Sequence, residues 1–378
     1  MAKRRRDQIV VESPRGVFDA FSKLELTTDL TDIASLTFTF GDDASWATVA
    51  DLVTPGTPFK VFLDNRLQFT GRVEVNEAPI DASNGTTIDI TCRTKLSDAH
   101  YSSAPKNTRV TNVSIKDFLL ALYAPFGYTR QDFEFDPMVE LNLLTGEQMG
   151  KSQDDPDAVT PVDKAKISPP ETVWEAANKH LKLRHLMHWD GARGTIIVGK
   201  PGSLPKPVYR FLSKRGPASV ANNVLKMKRV RDWSEVPAIV EIFGQFDNED
   251  GDTVQLRAPA LDKDVSRVFQ ETGHFNRIVQ IPIEGAKNRE RAKAQARREL
   301  SERLKKKSGW EVEVDGWSYW DGQRSIPYAL NYVADLDADT VGAEGRGKFL
   351  ITKVTRKLSA EEGATASLTL VGPGLYVL

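Results

Sequence analysis

The chain has 378 residues, 40% hydrophobic and 27% charged, with a formal net charge of −1. That supplies apolar material for more than one core, and no apolar run is long enough for a membrane-spanning helix. The single cysteine, Cys92, excludes a disulfide framework or a cysteine-built zinc site, and the near-zero charge excludes electrostatic binding of nucleic acid by the whole molecule. The basic start, Met1 to Arg6, is not followed by the apolar stretch of a signal peptide, and the lone cysteine makes a reducing cytosol the expected folding environment.

The first hundred residues read as β. Residues 35–40 alternate polar and apolar side chains, and 59–63 and 67–73 flank the polar turn Asp64-Asn65-Arg66 as a hairpin would. Residues 87–93 alternate again, with Ile88, Ile90 and Cys92 on one face, so Cys92 is expected to be a small buried side chain. Successive strands without intervening helices predict a small barrel or sandwich.

The middle turns helical. Ser114 with Asp117 three residues on predicts a capped helix over 115–124, ended by Pro125 and Gly127. A second helix is predicted from Ser168 and Glu171 to about His188, with Val173, Ala177, Leu181 and His185 on one face. Residues 129–167 between them are expected to form a peripheral, partly mobile excursion rich in proline and acid. After a short strand at 195–198, β returns from Pro207, with strands expected at 225–230, 238–246, 253–257, 278–281, 310–315, 331–336, 349–357 and 366–371. One long helix, about 287–306, interrupts them with a stripe of Ala292, Ala296, Leu300 and Leu304. The fold class is therefore α+β, with two β modules flanking a helical insert.

Charge is uneven. Residues 131–163 hold nine acids, Asp154 and Asp155 among them, against Lys151; residues 286–308 hold ten bases against three glutamates. Either both runs are solvated faces, or they meet across a subunit or partner contact. For the basic helix, contact with DNA is a further alternative, weakened by its glutamates and by the lack of interleaved aromatics.

Catalytic and cofactor signatures fail on spacing. Thr145 to Ser152 has three residues between its glycines where a phosphate loop needs four. Phe246 to Arg257 lacks carboxylates at both ends of a calcium loop, and Asp250-Gly251 reads better as a hairpin turn. His185 and His188 could share a helix face but lack further ligands for a metal. No nucleophile elbow occurs, so no catalytic, cofactor or metal residue is assigned and no enzyme is expected.

Several stretches, in order, resemble the Mu-type baseplate hub proteins of contractile-tailed phages. They are Arg66 to Glu74, Ile88 to Asp98, Ser114 to Leu119 with Ala124 to Gly127, and Glu171 to Ala177. Ala294 to Arg303 follows, leading to Val314 to Trp317 and Asp321 to Gln323, and then Ile351 to Thr355 with Ala366 to Leu370. The chain departs from the family at Arg324 to Pro327, where the family usually has Leu-Trp-x-Pro, and in the longer acidic excursion.

The resemblance implies a homotrimer in the virion tail baseplate, assembled in the host cytoplasm. It implies a first β-barrel tube domain at 1–105, an insert at 106–203, and a second tube domain at 204–378 with the crossing helix 287–307. Three chains would form a pseudo-sixfold channel joining the hexameric tail tube to the trimeric spike. The implied partners are the tail spike protein, the tail tube or its initiator, and the tape measure protein. DNA would pass through without specific binding, and this chain would not insert into a membrane. Alternatives are the hub of a non-contractile tail, a tailocin or a secretion spike, or a cytosolic ligand-binding β protein, or a DNA-binding protein. Arg291, Arg298 and Lys305 are expected on the outer side of the helix, available to an acidic neighbour such as Asp154 and Asp155. Trp310 and Trp317, with Trp320, are expected to anchor the second β module.

Overall fold

The computed structural model describes residues 7–18, 21–40, 53–77, 80–81, 85–104, 109–135, 162–167, 171–182, 186–202, 207–215, 222–247, 253–274, 276–282, 289–304, 307, 309–339 and 345–372. The chain divides into two compact units, Met1–Met227 with Val312–Thr369, and Lys228–Glu311 with Leu370–Leu378.

Alternation builds the first core. Leu36, Phe38 and Phe40 of the Ser35–Phe40 strand stand opposite Cys92, Ile90 and Ile88, and all six are buried. The Pro58–Leu63 and Arg66–Glu77 strands form the expected hairpin. Asp64 and Asn65 both take positive φ, as a two-residue turn of the primed type requires. The 14-residue strand Arg346–Ser359 then joins distant parts of the sequence. Its first half pairs with Val333–Ala338 and its second half with Lys23–Asp29. The N-terminal sheet is thus completed by a strand from the C-terminal part of the chain.

These strands belong to a 13-stranded sheet whose order runs from Val224–Val230 through Gly309–Asp315, Gly363–Val371, Arg346–Ser359, Lys23–Asp29, Ser35–Phe40, Ile88–Arg93, Arg66–Glu77, Pro58–Leu63 and Ile9–Ser13 to Gly16–Phe18. Tyr209–Ser213 pairs with Val333–Ala338 off this path. Among the described residues the order is open at both ends, so barrel closure is not part of the described ladders.

A second core belongs to the insert. Helices Leu96–Tyr101, Ile115–Tyr123 and Val173–Lys182 enclose it with a sheet ordered Phe133–Phe135, Ile196–Gly199, Met187–Asp190. Ser114 caps the second of these helices, its Oγ accepting from the Asp117 N–H at 3.1 Å, as expected. The third helix corrects the sequence reading. Its cap is Thr172, whose Oγ1 accepts from the Glu175 N–H at 3.1 Å while Glu175 accepts from the Thr172 N–H at 2.9 Å. The described helix is Val173–Lys182 and His188 lies in a strand, while His185 lies outside the described residues. The ends of the presumed excursion are also corrected. Phe133, Phe135, Val162 and Ile167 are buried in the insert core, because each alternates or flanks a strand there. Residues 136–161 lie outside the described residues.

The second unit packs two helices, Lys263–Glu271 and Arg289–Leu304, with the sheet Thr253–Leu261, Ile239–Asp247, Ile278–Pro282. Ala292, Ala296, Leu300 and Leu304 are all buried in this core, as the stripe predicted. The shorter helix escaped the sequence reading. Asp262 caps it by accepting from the Val265 N–H at 2.8 Å, and Val265 and Phe269 face the core.

Candidate functional site

The Gly309–Asp315 strand presents Trp310, Val312 and Val314 to the interior and leaves Glu311 and Asp315 exposed. Trp310 is 1% exposed, and the Arg229 guanidinium lies 5.6 Å from its ring centroid. Trp310 is therefore buried, as the alternation of its strand requires.

Trp317 does not. Gly316 takes φ +76°, a conformation that favours glycine, and the chain turns there. Trp317 consequently joins the first core, with Leu24, Phe38 and Phe59. Its indole Nε1 donates to the Lys357 carbonyl at 2.8 Å. Its backbone N–H donates to the Asp7 carboxylate, which also accepts from Ser318 Oγ at 2.8 Å. Trp317 thus ties the N-terminal strands to the C-terminal hairpin, and Trp320, 50% exposed, anchors neither core.

Arg298 also departs from expectation. It is 5% exposed, although it stands about 200° around the helix from both Ala296 and Leu300. The helix is covered on more than its apolar stripe, and the long aliphatic stem of Arg298 is what such a site can take up. Arg298 is therefore not presented outward to an acidic neighbour. Arg291 lies on the same helix. Lys305, Asp154 and Asp155 fall outside the described residues.

Cys92 is fully buried, as expected, and burial pushes its thiol well above the usual range, so it is no nucleophile. Among the described residues no group of three or more metal-binding side chains converges, and no helix is long and apolar enough to cross a membrane.

Sequence reading missed the buried polar groups. His188 Nε2 and the Tyr123 hydroxyl lie 2.7 Å apart in the insert core, beneath the Trp174 ring. Burial, assisted by His100, holds the His188 imidazole down to about 3, so the ring is neutral. Asp190, two residues on, accepts from the Ala34 N–H at 2.7 Å. Arg356, 3% exposed, donates through Nη2 to the Tyr328 carbonyl, and Tyr209 donates to the Pro327 carbonyl at 2.8 Å. Together these two clamp residues 327–329. Placing His188 on a helix hid its strand partners; the alternation of residues 187–190 was the available signal.

Long-range hydrogen bonds tie segments of this chain that are distant in sequence. Over 375 residues, 96% of this chain and 87% of the relative, it is 21% identical to the baseplate hub protein gp44 of Escherichia phage Mu. It is similar throughout to a Mu-type baseplate hub. The hub likeness extends to folds. A tail protein of prophage MuSo2 from Shewanella oneidensis matches with a TM-score of 0.76 and 17% identity, covering 98% of this chain and 99% of that one. A tail protein from Neisseria meningitidis matches with a TM-score of 0.77 and 17% identity, covering 98% of each. An Escherichia coli component of the type VI secretion system, described as similar to T4 tail proteins gp27 and gp5, matches with a TM-score of 0.54 and 10% identity, covering 98% of this chain and 78% of that one. No family model matches the chain.

Proposed function

We propose that the chain is the structural hub of a phage tail baseplate. It acts as a homotrimer in the virion, assembled in the host cytoplasm, and its β modules serve as barrel-like tube domains around a pseudo-sixfold channel. The channel joins the hexameric tail tube, or its initiator, to the trimeric spike, and accommodates the tape measure protein and passing DNA without gripping either. Its role is mechanical rather than catalytic. The observation that carries this reading is the end-to-end likeness to the Mu hub, in sequence order as well as length.

The sheet edges support it. Among the described residues the long sheet ends on Val224–Val230, where Leu225 is 55% exposed, and on Gly16–Phe18, where Val17 is 63% exposed. Exposed apolar side chains on open sheet edges are suited to contacts between copies. Light scattering of the purified chain, with microscopy of tails carrying a tagged copy, tests the reading. A trimer located between tube and spike is expected; a monomer in solution that is also absent from tails would overturn it.

A second reading, the base of a secretion spike, draws on the likeness to the type VI component. The particle that incorporates the tagged chain separates the two.

A further inference from the structure

The strand Met187–Asp190 ends on a half-buried aspartate whose Oδ1 is shut off from solvent. One oxygen, Oδ2, accepts from the Ala34 N–H at 2.7 Å, a tie between the insert and the segment leading into Ser35–Phe40. The other, Oδ1, is buried and makes no hydrogen bond among the described residues. Thr94 Oγ1 lies beside the carboxyl without completing a bond of good geometry, and the Tyr128 hydroxyl, close enough to feel its charge, is likewise buried and unbonded. The Asp190 Oδ1, the Thr94 Oγ1 and the Tyr128 hydroxyl are thus three buried polar atoms without hydrogen-bond partners.

The charged surroundings do not favour an anion. From the segment before Ser35–Phe40, Asp32 repels it. From the helix Ile115–Tyr123 and the turn after it come Tyr123 and Tyr128, both held neutral by burial. His188, on the same strand, is neutral and bonded to Tyr123, and His100 acts on it from the helix Leu96–Tyr101. The cations nearby are engaged elsewhere. Lys95 sits 4.3 Å from the Tyr128 ring centroid and donates to the Gly127 carbonyl, and Arg72 pairs with Asp98. Asp132 accepts from Thr129. One N–H is too little compensation for a buried carboxylate.

We infer that Asp190 is a proton-operated joint: as the acid it locks the insert's strand pair onto the first sheet, and as the carboxylate it loosens that contact. The acid form keeps the bond from Ala34 and gains an O–H that can donate to Thr94. In agreement, burial pushes the carboxyl up to about 7, against the opposing pull of the Ala34 N–H and the nearby Thr94 hydroxyl. The sign follows from linkage. The folded state holds its proton to higher pH than the unfolded chain, whose ordinary value is 3.8. Stability from this group is therefore complete below that value and is lost as pH rises toward about 7. The joint stands whichever particle the chain enters.

The test uses the full chain and Asp190→Asn, which mimics the protonated acid in shape, acceptor and donor. Melting temperature is followed across this pH range, with hydrogen exchange of residues 187–199 and of the Ala34 amide, corrected for intrinsic rates. Expected is a wild type that falls below the variant as pH rises from about 4 to about 7, with exchange in the segment rising only in the wild type. Parallel melting curves at every pH would overturn the inference. So would stabilisation of the wild type above neutrality by potassium but not by choline, which would mark a cation site instead. Should the variant fail to fold, carbon-13 titration of the wild-type Asp190 carboxyl decides: titration at an ordinary aspartate value would overturn the joint, and titration near neutrality would support it.

Discussion

The indole Nε1 of Trp317 donates a 2.8 Å hydrogen bond to the carbonyl of Lys357, and the ring lies in a core built largely from the first ninety-odd residues. A residue read as belonging to the C-terminal β module is therefore a tie to the N-terminal one. Trp317→Ala should cost about 3–5 kcal/mol through lost burial and the cavity left behind. Trp317→Phe keeps most of the volume but strands the Lys357 carbonyl, and should cost about 1–3 kcal/mol. Denaturant unfolding of both variants checks the ranking, and a Trp317→Phe protein as stable as the wild type would show that the hydrogen bond contributes nothing.

Gly71 sits where the Arg66–Glu77 strand passes the next strand closely. A Cβ there would collide with the Phe69 ring and lie 2.5 Å from the Arg93 carbonyl oxygen. Gly71→Ala should destabilise by about 1–3 kcal/mol, because a backbone carbonyl cannot step aside as a flexible side chain can. An unchanged melting temperature would contradict that packing.

Tyr209 holds residues 327–329 from both sides. Its hydroxyl donates to the Pro327 carbonyl at 2.8 Å and accepts from the Ala329 N–H at 3.1 Å. Tyr209→Phe should cost about 1–3 kcal/mol and raise exchange at the Ala329 amide specifically. Global loss of protection without a local excess would argue against the clamp.

His188 gives an acid-side dependence opposite to that inferred for Asp190. Its imidazole is held down to about 3 in the folded chain, against 6.5 ordinarily. The unfolded chain therefore takes up a proton first as pH falls. Stability present above the ordinary value is lost progressively below it, at a limiting slope of about 1.4 kcal/mol per pH unit. His188→Gln, which keeps a partner for the Tyr123 hydroxyl, should flatten this loss. The difference in unfolding free energy between wild type and variant, followed from neutral pH downward, is the measurement; a constant difference would place the ring outside the buried core.

The sequence by itself determined the local grammar of this protein. Alternation marked the faces of Ser35–Phe40 and Gly309–Asp315, two turn residues at Asp64 and Asn65 closed a hairpin, and Ser114 began a helix. Each rests on contacts within a few residues, where backbone period and hydrogen bonding act directly. It also carried the order of motifs that resembles a tail hub. Tertiary structure decided what covers each face. The period of the Arg289–Leu304 helix placed the Ala and Leu stripe inward, but no period could show that Arg298 is covered too. A hydrophobic strand at 349–357 does not say that Lys23–Asp29 is its partner. That pairing, the place of Trp317, the bond between Ala34 and Asp190 and the burial of His188 depend on segments hundreds of residues apart in some cases. Such contacts are settled only when the cores close and exclude water, because a long-range partner leaves no mark in local spacing.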